Sequence, residues 1–443
     1  MRRSLFDALA PVMFVVGGLV LAVCYGFFAA SYGLFPAGPL RRAEESARGI
    51  WEAYVRPPPF DRVGRDGTPG RSTAFLRLPD RQEDGVTLVV GYRPEGFGAW
   101  IVDADGNVLH RWAATFSGVF GNPAPHLQYQ ARDITIAWHG VHLFANGDLL
   151  FNFQDNSFPY GSGLVKLDKD GRSIWKLNRN THHAVTVEPD GTIWVPSQHY
   201  RPDGLPGVRY LKPWYYEDTV LKVSPDGEVL DEISVLKAFA GVPGAFSVTY
   251  ADTTAVTQSD PLHLNDVEPL PMAWAARFPQ FSPGDLLVSM RNTNTIAVID
   301  RTTKLVKWHL SGLFVRQHDA DFLPNGHLMV YDNQGGDPAC GGSRVLEIDP
   351  ATQSIVWKYD GCGEKPFFSL TRGVQNRLAD GNVLTVEPHA GRVLEVTGDS
   401  KPRLVWEYYN VLTDGTAEPR VGLVTHAERF RREDLPFLTG PTS

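Results

Sequence analysis

Short apolar runs alternate with Asp-Gly or Asn-Gly pairs through most of this chain. The pairs are Asp105-Gly106, Asn146-Gly147, Asp170-Gly171, Asp190-Gly191, Asp226-Gly227, Asn325-Gly326 and Asp380-Gly381. Both residues of such a turn must tolerate positive φ, so the pair between apolar runs predicts a β-hairpin. A second signal alternates with the first. An Ile-Asp pair and a turn lead into an apolar run with Trp, as from Ile299 to Trp308 and from Ile348 to Trp357. Two hairpins in sequence make a four-stranded antiparallel unit. Such units fall at 135–177, 181–235, 260–310, 316–359 and 367–410, and a sixth at 85–112 is completed by a C-terminal strand near 421–430.

Four-stranded units of about forty to fifty residues read as propeller blades. The expected fold is all-β, a six-bladed β-propeller of four-stranded antiparallel blades, preceded by one N-terminal transmembrane helix. Pairing the first blade with the last strand would remove the open sheet edge. Trp112, Trp175, Trp308, Trp357 and Trp406 near the unit ends suit packing between blades.

One polar position recurs in the repeat. His139, His183 and His318 each stand seven residues before the Asn or Asp of a turn. His263 and His426 fit the same slot with less regular turns, and Arg372 lies one position from it in the fifth unit. Blades arranged about an axis would bring these side chains together from distant parts of the chain.

Composition narrows the class. The net charge is −8 and no basic stripe appears, so nucleic acid is not an expected partner. No charged residue occurs from Ala8 to Leu40, which is long enough to span a bilayer. The domain plan is therefore an anchor at 1–40, a linker at 41–84 with a short helix from Arg41 to Val55 stopped by Pro57-Pro58-Pro59, the propeller at 85–435 and a tail at 436–443. Arg2 and Arg3 precede the span while Arg41, Arg42, Arg48 and Arg56 follow it, a bias that places the domain inside. Cys340 and Cys362 argue the reverse. They flank a hairpin turn centred on Ala351, where cross-strand spacing suits a disulfide that persists only in an oxidising compartment. The expected location is the inner membrane, held by a single-pass signal anchor, with the propeller in the periplasm.

The first strand of a blade lines the central channel, and period-2 alternation puts His263 and Asn265 on one face. His183 and His318 occupy the equivalent slot in neighbouring units. Arg291 follows the second strand of the His263 unit and would lean toward the same mouth. Imidazoles, an Arg and an Asn make an anion site with a candidate nucleophile. His139 and His426 read as structural, and His142, His309 and His327 as surface or satisfied strand histidines. Arg372 would add positive charge to the channel or cap a strand. The segment Tyr200 to Tyr216 interrupts the second unit, as a self-packed loop or as an aromatic wall for a phenol.

The segment Gln317-His-Asp-Ala-Asp-Phe-Leu-Pro-Asn-Gly-His-Leu-Met-Val-Tyr-Asp-Asn333, with Ser343 to Asp349 and Ile355 to Tyr359, resembles the bacterial arylsulfotransferase family that does not use the adenylyl-sulfate donor. Leu262 to Asn265, Leu287 to Asn292 with Ile296 to Asp300, and His182-His183 with its turn resemble it too. The resemblance covers roughly 130–410. It implies a six-bladed propeller and sulfuryl transfer between phenols by a ping-pong route through a sulfohistidine. It makes His318 the nucleophile, with His263, Asn265 and Arg291 on the sulfuryl oxygens. His183, or its neighbour His182, would complete the site and assist proton transfer.

Under this reading the partners are a small-molecule aryl sulfate donor, a phenolic acceptor and the membrane, with no cofactor and no metal. A homodimer is kept as a possible assembly, although known members dimerise through an N-terminal β domain for which 41–84 is too short. The segment from Met272 to Pro283 also departs from the family and looks inserted. Two other readings stand beside it. A ring of neutral imidazoles suits Zn²⁺ or Fe²⁺ in a metal-dependent enzyme, though Arg291 beside it argues against a cation. The channel would also serve a non-catalytic propeller that binds a ligand or partner.

Overall fold

The computed structural model describes residues 5–32, 34–35, 63–64, 74–76, 78, 85–127, 131–155, 160–206, 211, 214–240, 242, 259–363, 365–412 and 420–439. The chain divides into two units, Met1–Phe60 and Asp61–Ser443. The first contains the helix Leu5–Tyr32. Its stretch Pro11–Ala29 is long and apolar enough to cross a membrane, a property that signal sequences share. The short helix expected from Arg41 to Val55 lies outside the described residues.

The second unit is a six-bladed β-propeller, each blade built on an antiparallel sheet of four strands, with a fifth strand added in blade 6. Blade 1 is closed by both ends of the domain: Val424–Phe430 is its innermost strand, paired with Val86–Arg93, and Gly96–Val102 and Val108–Ala113 follow outward. Blades 2 to 6 begin with the innermost strands Ile136–Leu143, Thr186–Val187, Leu264–Pro269, His318–Phe322 and Gln375–Arg377. Six clusters of buried apolar side chains lie one at each junction between neighbouring blades. A blade packed on both faces needs apolar residues on both, so its central strands are buried end to end, as in Leu286–Met290 and Thr295–Ile299. Outermost strands face solvent on one side, and Ser354–Tyr359 alternates accordingly.

The tryptophans do more than pack. The indole N–H groups of Trp175, Trp308, Trp357 and Trp406, each on the fourth strand of its blade, donate to Pro225, Pro350, Asp399 and Ala104. Each acceptor carbonyl sits in the turn before the fourth strand of the next blade. Trp112 donates to Gly147 instead, and His110 Nε2 meets the Lys169 carbonyl in the equivalent turn. The outermost strand of blade 3, Val229–Ser234, has no Trp, and the Lys304–Asp231 ion pair bridges to blade 4 there.

Two segments carry more structure than the sequence-based plan gave them, the 41–84 stretch and the tail. Val63–Gly64 pairs with Val421 and Gly422, and Ala74–Leu76 adds a fifth strand to blade 6 beside Leu404–Tyr409. Parts of the 41–84 segment therefore cover sheet edges that would otherwise stay unpaired. Phe437, from the expected tail, packs edge-on against Trp112 and His110. The segment from Met272 to Pro283 buries Phe278 and Phe281 in the cluster between blades 4 and 5. Cys340 and Cys362 form a disulfide with Cα atoms 4.8 Å apart. It lies beyond the last hairpin pair, Val345 with Tyr359, and joins a turn to a loop.

Candidate active site

The six innermost strands line an axial cavity of about 250 Å³. Its upper layer is built where those strands begin, and the backbone there is irregular in a repeated way. The pairing register breaks between His139 and Val141, Leu264 and Asp266, His318 and Ala320, and Val424 and His426. Such bulges re-aim side chains at strand ends. His183, His263, Asp319 and Arg372 take left-handed φ values of 56°, 55°, 52° and 67°. That conformation costs a non-glycine residue about 1–3 kcal/mol and persists only when its surroundings enforce it. Here Gln154 Oε1 accepts from the His183 amide at 2.8 Å, and Asp319 Oδ2 accepts from the Gln375 amide at 2.6 Å. Gly140 is also left-handed, and a Cβ there would lie 2.0 Å from the His183 carbonyl.

These turns gather the imidazoles. The His183 ring lies 5.0 Å from that of His263, 6.1 Å from His139 and 6.4 Å from His318, centroid to centroid. Tyr160 adds a ring 5.0 Å from His263 and 6.2 Å from His183.

Each central histidine is backed differently at Nδ1. His318 Nδ1 lies 2.7 Å from Asn333 Oδ1 and 3.1 Å from the Arg316 carbonyl. The Asn333 amide nitrogen donates to the Ser369 and Arg372 carbonyls, which fixes its oxygen toward His318. Two acceptors at Nδ1 require a proton there, so Nε2 keeps its lone pair, and the Arg372 amide approaches it at 3.3 Å. His263 Nδ1 lies 2.5 Å from Asp260 Oδ2. His183 Nδ1 lies 2.8 Å from His182 Nδ1, so those two rings share a proton, and His182 Nε2 stands 3.7 Å from Asp218 Oδ1.

Charge follows from burial. Desolvation, then Arg291, pushes His318 down to about 3, so its imidazole is neutral at physiological pH. Desolvation, reinforced by Arg291 and Arg316, also pushes His263 well down. His182 is pushed down to about 3, and His139 and His183 fall well below the ordinary value, burial being the largest cause for each. Arg291 Nη1 lies 3.2 Å from Nε2 and 3.5 Å from Nδ1 of His263. Near-equal distances put the guanidinium against the ring face rather than on a lone pair. Arg372 Nε donates to His139 Nε2 at 3.2 Å, so Arg372 contributes charge to the cavity. Asn265 lines the same cavity and donates its amide to the Gln317 carbonyl at 2.7 Å.

A second layer of the cavity is acidic, with Asp266, Glu268, Asp319, Asp321 and Glu428 beside His142 and His426. His139, His142 and His426, read from sequence as structural or surface, line the cavity. His327 instead pairs with Glu347, away from the channel. In the Tyr200 to Tyr216 segment, Tyr200 packs against Trp214 and Tyr216, while Tyr210 lies outside the described residues. Sequence reasoning missed Asp260, Asn333, Gln154 and Tyr160. Asn333 stands inside the quoted motif, but nothing in sequence ties it to His318 Nδ1. Among the described residues, no three His, Cys, Asp or Glu converge to hold a metal ion.

The site's chemistry can be set beside known proteins. Solved structures align over much of the chain at low identity. A protein of unknown function from Bacteroides caccae is 14% identical, covering 78% of this chain and 98% of its own, with a TM-score of 0.47. Streptogramin B lyase is 13% identical, covering 76% and 87%, with a TM-score of 0.40. The WD40 propeller domain of Doa1 is 10% identical, covering 83% and 95%, with a TM-score of 0.39. A comparison with curated protein sequences finds no match. The family model for arylsulfotransferase (ASST) matches residues 140–410, most of the folded domain, and the chain belongs to that family.

Proposed function

We propose that this chain is a membrane-anchored aryl sulfotransferase that carries a sulfuryl group on His318 between a phenolic sulfate donor and a phenolic or other hydroxyl acceptor. The observation that carries the reading is the state of His318. It is a buried, neutral imidazole with its proton held at Nδ1 by Asn333 and its Nε2 lone pair unprotonated. In the first half-reaction Nε2 attacks sulfur, the N–S bond forms, and the S–O bond to the aryl group breaks with the electron pair leaving on the phenolate. In the second, an acceptor hydroxyl attacks sulfur, its proton is taken up by a base in the site, and the N–S pair returns to the imidazole.

Charge spreads over the sulfuryl oxygens in flight, so fixed donors around them lower the barrier. On this reading Arg291, Asn265 and His263 would take that role, with His183, His182 and Arg372 completing the polar wall. The apolar N-terminal helix supports anchoring, and the Cys340–Cys362 disulfide supports an oxidising compartment, taken here as the periplasm.

Intact mass after mixing the protein with 4-nitrophenyl sulfate, without acceptor, tests the reading. One added sulfuryl group is expected, absent in His318→Ala. A wild-type protein that is folded yet gains no mass and releases no phenol would sink it.

A further inference from the structure

The three central imidazoles share one environment but not one backing group, and that difference assigns a task the reaction needs. An amide oxygen, as on His318, orients a ring without adding charge. A second imidazole, as on His183, shares a proton but supplies no counter-charge. A carboxylate orients the ring and stabilises its protonated form. Of the three, His263 alone has a carboxylate at hydrogen-bond distance on Nδ1, 2.5 Å away on Asp260. Asp260 is buried, and Asn292 donates its side-chain amide to the Asp260 carbonyl at 2.7 Å. Arg291, the candidate sulfuryl-binding cation, lies against the face of the same His263 ring.

We propose, on the reading of His318 as the nucleophile, that Asp260 is a positioning residue that makes His263 the proton carrier for both half-reactions. As the donor's S–O bond breaks, the Nε2 proton of His263 passes to the leaving phenolate oxygen, and Nδ1 keeps the proton it shares with Asp260. When the acceptor hydroxyl attacks the sulfuryl group on His318, its proton passes to His263 Nε2. The dyad ends with the protons it began with, and no further reactant enters. The electrostatics agree. Burial pushes Asp260 up to about 7, while burial and then Arg291 and Arg316 push His263 down. The two shifts let the dyad hold one additional proton near neutrality, and that titration belongs to the pair.

Leaving-group dependence separates proton donation from mere architecture. A poor leaving group needs the proton and a good one does not. Single-turnover sulfurylation of His318 is measured with pentafluorophenyl, 4-nitrophenyl and phenyl sulfate, in wild type, Asp260→Asn and His263→Gln. With phenyl sulfate, each variant is expected to lose about 100-fold or more. With pentafluorophenyl sulfate, Asp260→Asn should stay near the wild-type rate. A loss of equal size across the series would overturn the proposal and leave Asp260 a structural group. Should Asp260→Asn fail to fold, wild type still decides: its solvent deuterium isotope effect should be well above one with phenyl sulfate and near one with pentafluorophenyl sulfate. Near-unity effects with both would overturn the dyad. Absence of a sulfuryl adduct with every donor would instead overturn the function on which it rests.

Discussion

Asn333 decides which nitrogen of His318 is free, and it does so because its own amide has no alternative. Its nitrogen is committed to the Ser369 and Arg372 carbonyls, so the oxygen alone can face Nδ1. Removing it would leave the longer contact to the Arg316 carbonyl as the remaining acceptor at Nδ1 and would loosen the ring. Asn333→Ala is expected to slow the sulfurylation burst by about 10- to 100-fold, the usual size of losing such an orienting partner. KM should change little, because Asn333 is bonded to His318 Nδ1 and to backbone, on the side of the ring away from Nε2. A burst at the wild-type rate would show that Asn333 does not hold the nucleophile. His318, His263 and Arg291 were legible in sequence because a repeat slot and family motifs converge on them. Asn333 and Asp260 were not, since the partner of a buried imidazole is set by tertiary packing. Asp260 lies three residues before His263, and what brings its carboxylate to Nδ1 is the left-handed turn at His263, where φ is 55°.

Blades are joined by a repeated latch in which an indole N–H reaches a carbonyl in the neighbouring blade's turn. Trp308 is a suitable test, being half-buried with its bond to Pro350 at 3.2 Å. Trp308→Phe keeps an aromatic ring in the cluster between blades 4 and 5 and deletes one hydrogen bond, for an expected loss of about 1 kcal/mol. Trp308→Ala also removes packing against Phe281 and should cost about 3 kcal/mol or more. Denaturant midpoints of the two variants measure the split, and a Trp308→Phe midpoint equal to that of wild type would show that the bond contributes nothing beyond the ring. The blade 3–4 junction, with the half-exposed Lys304–Asp231 pair in place of a latch, gains little from it because water and salt screen such charges. The tryptophans announced their junctions in sequence, but their acceptors did not, because a backbone carbonyl has no sequence signature. The strands Val63–Gly64 and Ala74–Leu76 were missed for a related reason. They are two and three residues long, show no alternation, and exist through pairing with residues more than 300 positions away.

The architecture as a whole was the most legible feature, because hairpin turns recur at blade spacing and the C-terminal strand completes the first blade. What the repeat could not show is that its channel has two layers of opposite chemistry, histidines above and carboxylates below, and this governs how stability responds to pH. Burial pushes Asp319 up to about 7, Glu268 up to about 8, and Asp266 and Asp321 well above the carboxylate range. In the unfolded chain these groups ionise near pH ~4, so above that the native state holds protons the unfolded state has released. Their contribution is therefore lost as pH rises through the folded values. The buried histidines work the other way: held low in the native state, they cost stability as pH falls below about 6.5, where the unfolded chain takes up protons. The two sets oppose each other in mild acid. Above about pH 7 the histidines are neutral in both states and the carboxylates alone remain. Unfolding free energy should fall between about pH 7 and about pH 9, by about 1.4 kcal/mol per pH unit for each proton still held, and the melting temperature should fall with it. Glu268→Gln, which removes the titration and keeps an acceptor for the Phe322 amide, should flatten that slope and gain relative to wild type as pH rises. Calorimetric scans across this range decide it. A wild-type melting temperature that holds level or climbs would mean that the lower layer is already ionised in the native protein, with the channel paying no penalty for its charge.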